Sequence, residues 1–307
     1  MQAPTRKWYL NPALRRVTGL ILALVILFFL GKNIYSNWDK ILQLNWRFDT
    51  KFFLLSTFIW LINLFLSCHL WVMIMDKLQP GFEYLYGMNV WVTSMFGKYV
   101  PGRVWTLATR IYLCEGKVSK TKNLLGLYLE VALSVLSGII VFIVYIFYAA
   151  LHLTGPYRIV PVILFLFIVF LLLTIHPYIA HKILKFGAKI LKRKIPEVNY
   201  SYKTIIVLLG FSALLWMIRG ISISFFIHST VKVGKNIFFP ITAGFAIGWV
   251  AGFLAVITPD GLGIREGLFA LVSRVALPGY LASTVSLSLR LWMMLLDVVF
   301  FSGFRLI

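Results

Sequence analysis

The chain has 307 residues, 60% of them hydrophobic and only 13% charged, with a mean hydropathy of +0.88. This excludes a soluble domain, in which about half the residues are apolar and a quarter charged. The net charge of +20, from 30 Lys and Arg against 10 Asp and Glu, gathers beside apolar runs and forms no basic stripe interleaved with aromatics, which excludes nucleic acid and assigns the charge to topology and anionic headgroups.

The first apolar run, Val17 to Ile34, follows Arg15 and Arg16, is long enough to span a bilayer and has no small-residue cleavage site after it, so it reads as a span and not a removed signal. Phe52 to Met75 is the second span, Leu124 to Ala150 the third, Ile159 to His176 the fourth, Ile205 to His228 the fifth and Tyr280 to Gly303 the last. Cys68 and Cys114, in or beside these stretches and without metal-ligand spacing, read as buried thiols. Two further regions, Tyr84 to Leu113 and Ile237 to Leu277, are apolar on both flanks and broken in the middle by Pro, Gly and charge. Arg6, Lys7, Arg15 and Arg16 before the first span, and the seven basic residues from Lys182 to Lys203, place both segments in the cytoplasm. Threading from there puts Lys32 to Lys51 outside, Asp76 to Lys122 inside and His152 to Arg158 outside, with both termini cytoplasmic. The scheme closes if each broken region leaves the membrane on the side it entered. The expected fold is therefore an all-α polytopic transmembrane protein with two re-entrant broken helices. It forms one domain over 1–307, in inverted halves of approximately 17–150 and 157–303.

The first break reads Phe96-Gly97-Lys98-Tyr99-Val100-Pro101-Gly102-Arg103-Val104-Trp105. Pro101 cannot continue the preceding helix, so a new half-helix with unpaired amide donors begins near Arg103. Arg103 and Arg110, seven apart, share a helical face, and Lys98 lies just before the break. The second break reads Thr258-Pro259-Asp260-Gly261-Leu262-Gly263-Ile264-Arg265-Glu266-Gly267, again a half-helix start with an Arg beside it. Such ends bind anions through backbone N–H groups and the helix dipole. Elsewhere in the spans stand Asn63, His69, Glu130, Arg219, Arg290 and Asp297. Ionisable groups at that depth need partners or water, and Arg290 and Asp297, seven apart on one helix, need partners on other segments, with Glu266 the simplest for Arg290.

The Lys98 to Arg110 stretch with Gly116, and the Thr258 to Gly267 stretch with Arg290, resemble the transmembrane flippase-like domain of the lysylphosphatidylglycerol synthase family over nearly the whole chain. In bifunctional members of that family this domain moves aminoacylated phosphatidylglycerol across the bilayer and a separate soluble domain makes it. The sequence shows no soluble domain, so the resemblance implies transport and not synthesis. The family pattern is richer in glycine at the second break, which makes Asp260 a local specialisation.

The expected function is movement of a phosphate-bearing lipid, anionic, aminoacylated or polyprenyl-linked, between leaflets of a bacterial plasma membrane. Arg103, Arg110 and Arg265 hold the phosphate, while Glu266, Asp260 or Glu130 balance charge or meet a cationic headgroup; Lys98, Arg290 and Asp297 complete the site. The alternative is an intramembrane enzyme, or an accessory subunit of one, acting on lipid-linked glycans or lipids. Against catalysis, the sequence has no paired-carboxylate metal motif, no His-rich metal spacing and no nucleophile elbow, and no nucleotide-binding loop or other cofactor motif is seen. The expected partner is the membrane phospholipid or lipid-linked phosphate itself; a homo-oligomer and a separately encoded partner enzyme are both compatible with the sequence.

Overall fold

The computed structural model of the chain describes residues 28, 31, 32, 35, 36, 38–42, 48–99, 104–150, 162, 166, 201–255 and 261–304. The spans expected over 17–34 and 159–176 lie outside these residues except at 28, 31, 32, 162 and 166, as do the basic segments 6–16 and 182–194. Among the described residues the regular elements are helices. They are α1 (Trp38–Leu42), α2 (Thr50–Leu78), α3 (Tyr84–Ser94) continued by a 3-10 turn (Met95–Tyr99), α4 (Val104–Leu113) and α5 (Lys120–Ala150). After the undescribed stretch come α6 (Tyr202–Thr230), a 3-10 turn (Lys235–Ile237), α7 (Phe238–Leu254), α8 (Ile264–Ser273) and α9 (Gly279–Phe304). The all-helical class read from the apolar runs is the one observed, and four of the six expected spans appear as α2, α5, α6 and α9, each long and apolar enough to cross a membrane.

These four run 29, 31, 29 and 26 residues. At 1.5 Å per residue that is roughly 40–45 Å, longer than the hydrocarbon core, so their ends reach the headgroups. The start of α2 is set by Asp49, whose carboxylate accepts from the N–H of Lys51 at 2.9 Å and of Phe52 at 3.3 Å. It stops before Pro80 and Gly81, where φ is +80°. Along α2 the buried face carries Ser56, Trp60, Asn63, Ser67 and Trp71, while Leu54, Phe58, Ile62 and Phe65 are exposed. The polar side chains of α2 thus face protein beside two indoles while the exposed face is aliphatic and aromatic, as close packing and hydrogen bonds rather than burial of aliphatic surface hold helices together in a bilayer.

The partner of that face is α6. The Asp49 N–H bonds the Ser229 carbonyl at 2.8 Å, Ser56 and Ser222 exchange hydroxyl-to-carbonyl bonds at 2.9 and 2.8 Å, and the Asn63 amide donates to the Leu215 carbonyl at 3.0 Å. Each step of two helical turns up α2 is matched by two turns down α6, so the pair is antiparallel with a register fixed by side-chain to backbone bonds. An aromatic chain ties the other helices to it. Phe226 meets Trp292 at 4.8 Å between ring centroids, Trp292 meets Trp60 at 5.4 Å, Trp60 meets Phe245 at 6.0 Å and Phe245 meets Trp216 at 6.1 Å. This links α6, α9, α2 and α7 by contacts of about 0.5–1.5 kcal/mol each.

The two broken regions have the expected elements. Helices α3, α4, α7 and α8 have 11, 10, 17 and 10 residues, and none alone reaches across a core of about 30 Å. Each break is crossed by a backbone contact that only glycine permits. A Cβ on Gly97 would lie 2.3 Å from the Thr106 nitrogen in α4, and one on Gly261 would lie 2.6 Å from the Gly252 Cα in α7. The element order long, short, break, short, long runs once through α2 to α5 and again through α6 to α9.

Candidate functional site

Arg110 stands in the last turn of α4, which the Asn123 side chain closes by donating to the Arg110 carbonyl at 2.9 Å. Its guanidinium is buried, pairs with Glu130 on α5, and donates from Nε to the Ser94 hydroxyl at 2.9 Å. The plane lies over Trp71 at 4.7 Å and near Trp91 at 5.9 Å, and the Trp91 indole N–H donates to the same Glu130 carboxylate at 2.8 Å. The charge of this cation is thus paired, and two indoles lie against it, within the first half of the chain.

The second half holds the same pair of residue types with the positions exchanged. Glu266 on α8 accepts from Arg290 on α9 at 3.1 Å, the partnership expected from the cost of an uncompensated Arg on a long apolar helix. The other Glu266 oxygen accepts the Gly263 N–H at 2.7 Å, capping α8, and the Ser286 hydroxyl donates to the Glu266 carbonyl at 2.9 Å. The α8 side chain next to this pair, Arg265, lies across α7. A Cβ on Gly252 would stand 2.2 Å from the Arg265 Cγ, so the glycine makes room for the arginine stem.

This second pair is as buried as the first, and it borders a recess. It lines this small recess together with Arg265, Phe245, Trp249, Phe269, Leu289 and Met293. The lining carries two guanidiniums and one carboxylate at the N-terminal end of an α-helix, where the dipole also favours an anion. A bound anion here would meet cationic donors on one side and aromatic and aliphatic carbon on the other. That combination suits an amphiphile's charged group.

The remaining expected residues fall as follows. Asp297 on α9 is buried and pairs with Lys98 in the first 3-10 turn at 2.5 Å, so the start of the first break is tied to the last helix. Arg110 and Glu130 do not line the recess. Arg103 and Asp260 lie outside the described residues. Sequence reasoning missed the Trp71 and Trp91 housing of Arg110, since aromatics make up 16% of the chain and nothing marks two of them as partners. It also left unused the spacing Gly244, Gly248, Gly252, a small residue every fourth position, which signals close approach of a second helix. Here that helix is α8. Arg219 was noticed as an ionisable residue but not placed in the site; it lies on α6 behind Trp216, whose ring meets Trp249 of the recess wall at 5.5 Å.

The family model described as the lysylphosphatidylglycerol synthase TM region matches residues 16–300, and the chain belongs to that family. No curated protein and no solved structure matches it.

Proposed function

From that membership as premise, we propose that this multi-pass membrane protein moves a phosphate-bearing lipid between leaflets and is not itself an enzyme. The observation that carries the reading is the recess at the second break, with Arg265 and the Glu266–Arg290 pair on one side and Phe245, Trp249, Phe269, Leu289 and Met293 on the other. The recess is small, so in this reading it meets only the charged group of the lipid while the acyl chains stay in the surrounding bilayer. A guanidinium fork accepts a phosphate bidentately, and the half-helix N-terminus adds backbone donors. The mixed charge of the lining accommodates anionic and aminoacylated headgroups alike. In this reading the two halves are inverted about the membrane midplane and both broken segments are re-entrant, which brings Arg103 toward the same phosphate as Arg265.

Purified protein in proteoliposomes carrying a fluorescent phosphatidylglycerol in one leaflet tests it: leaflet exchange above protein-free vesicles is the expected result. A chemically altered lipid without exchange would support the intramembrane-enzyme alternative instead. The orientation has its own test. Lys189→Cys and Thr154→Cys, each in a background without Cys68 and Cys114, are expected to react with an impermeant reagent from opposite faces; labelling of both from outside intact cells contradicts cytoplasmic termini.

A further inference from the structure

Asn63 and Arg219 each lie within one turn of the midpoint of their helices, α2 and α6, at a depth where a cation is expensive unless compensated. Arg219 is held there by neutral groups. Nε donates to the Asn63 Oδ1 at 2.9 Å, Nη2 donates to the Ser67 hydroxyl at 3.2 Å, and the plane rests on Trp216 at 4.4 Å. Both acceptors are themselves fixed, Asn63 by donating to the Leu215 carbonyl at 3.0 Å and Ser67 by donating to the Asn63 carbonyl at 2.7 Å. These contacts orient the guanidinium and use two of its five N–H donors, and its charge stays, since a guanidinium does not lose its proton. Among the described residues no carboxylate forms an ion pair with it, and Glu130, the carboxylate within its electrostatic range, is paired with Arg110.

Two indoles supply a second, independent observation at the same place. Trp60, one turn before Asn63 on the same face of α2, and Trp292 of α9 are each 5% exposed, and their ring centroids lie 5.4 Å apart. Neither Nε1–H meets an acceptor among the described residues, although buried N–H groups are nearly always bonded and an indole can only donate. Phe245 of α7 joins this pair to the arginine: its ring meets Trp60 at 6.0 Å and Trp216, on which Arg219 rests, at 6.1 Å. Trp60, Phe245, Trp216, Arg219 and Asn63 thus close a ring of contacts around one mid-membrane seam, with Trp292 against it. What the seam offers is donors: one cation held only by neutral groups and two indole N–H groups. Arg219, Trp60 and Trp292 do not line the recess, which shares only Phe245 with the seam.

We infer that this seam is an anion site in its own right, separate from the recess, in which Arg219 supplies the charge and the Trp60 and Trp292 N–H groups supply neutral donors to one phosphate group. Asn63 and Ser67 hold the guanidinium fork in place. The choice of a phosphate rests on the transport reading above, in which the seam is a second station for the headgroup, although the same donors would accept free phosphate. The test reads the indole N–H signals by NMR in the purified full chain carrying isotope-labelled tryptophan, with Trp60, Trp249 and Trp292 assigned through Trp60→Phe, Trp249→Phe and Trp292→Phe. The probes are dihexanoyl phosphatidylglycerol, inorganic phosphate and dihexanoylglycerol, which has no phosphate. The Trp60 and Trp292 signals are expected to shift saturably with a phosphate-bearing probe. Arg219→Gln is expected to weaken the affinity read there by about tenfold or more, the loss of a charge-assisted contact, and to leave the affinity read at Trp249 of the recess unchanged. A shift with the lipid alone identifies a headgroup site and a shift with both identifies a phosphate site; both support the inference. Silent indoles with both phosphate-bearing probes overturn it, as do an equal shift from dihexanoylglycerol, an unchanged affinity in Arg219→Gln, or an equal loss at Trp249. If Arg219→Gln does not fold, Trp60→Phe decides, because it keeps the ring and removes the N–H: binding about threefold weaker, read at Trp292, is expected, and unchanged binding overturns the inference. Leaflet exchange with silent indoles removes this inference and leaves the transport reading intact. Shifted indoles without exchange do the reverse.

Discussion

The two broken segments use the same pair of residue types to opposite ends. In the first, Arg110 of α4 is held by Glu130 of α5, bonded to Ser94 and covered by Trp71 and Trp91. In the second, Glu266 of α8 is held by Arg290 of α9, but the pair borders open space shared with Arg265. An ion pair between a short helix and the long helix after it fastens each broken segment, and the difference lies in what surrounds it. Where indoles close over the cation the pair is a strut. Where a glycine-lined helix lets Arg265 lie beside it, the same pair borders a recess.

The largest loss of stability is expected at the first pair. Arg110→Ala leaves Glu130 with the Trp91 N–H but without its cation, and removing one member of such a buried pair costs about 3–5 kcal/mol. Melting in detergent is expected to show that loss, and the double variant with Glu130→Gln to recover part of it. Arg290→Ala is expected to cost a similar amount, about 3–5 kcal/mol, because Glu266, like Glu130, is left buried with one N–H partner. If Arg290→Ala and its combination with Glu266→Gln melt identically, the two residues are not coupled. Gly252→Ala sharpens the contrast without touching a charge. Its Cβ would collide with the Arg265 stem, so about 1–3 kcal/mol of overpacking and a slower leaflet exchange are expected together. The smallest effect belongs to Lys98→Gln. Lys98 is 37% exposed against 2% for its partner Asp297, and partly hydrated pairs contribute about 1 kcal/mol or less, so a melting shift near the limit of detection is expected.

Much of this architecture was readable before any coordinates. The spans at α2, α5, α6 and α9 were placed to within four residues, because a bilayer demands run length and apolarity regardless of periodicity. The observed helices are longer than the apolar cores since capping groups such as Asp49 and Ser119 lie outside the hydrophobic stretch. The breaks were legible because Pro and Gly interrupt helices locally. The Glu266–Arg290 pair was legible because a buried arginine needs an acid and the chain has only 10 to offer. What surrounds a charge was not legible. Arg110 and Arg265 look equivalent as letters after a break, and only the packing of Trp71, Trp91 and Gly252, distant in sequence, separates a sealed cation from one at the edge of a recess.

In the function we propose, the phosphate is held at the second break while the first Arg–Glu pair is structural. The most direct measurement is leaflet exchange of fluorescent phosphatidylglycerol by Arg265→Lys in proteoliposomes, normalised to folded protein. Loss of the planar fork is expected to slow exchange about tenfold or more with a melting temperature close to that of the wild type. Arg110→Lys, by contrast, is expected to lower the melting temperature while the molecules that remain folded exchange lipid at the wild-type rate. A wild-type rate in Arg265→Lys, or a slowed rate in folded Arg110→Lys, would contradict the account.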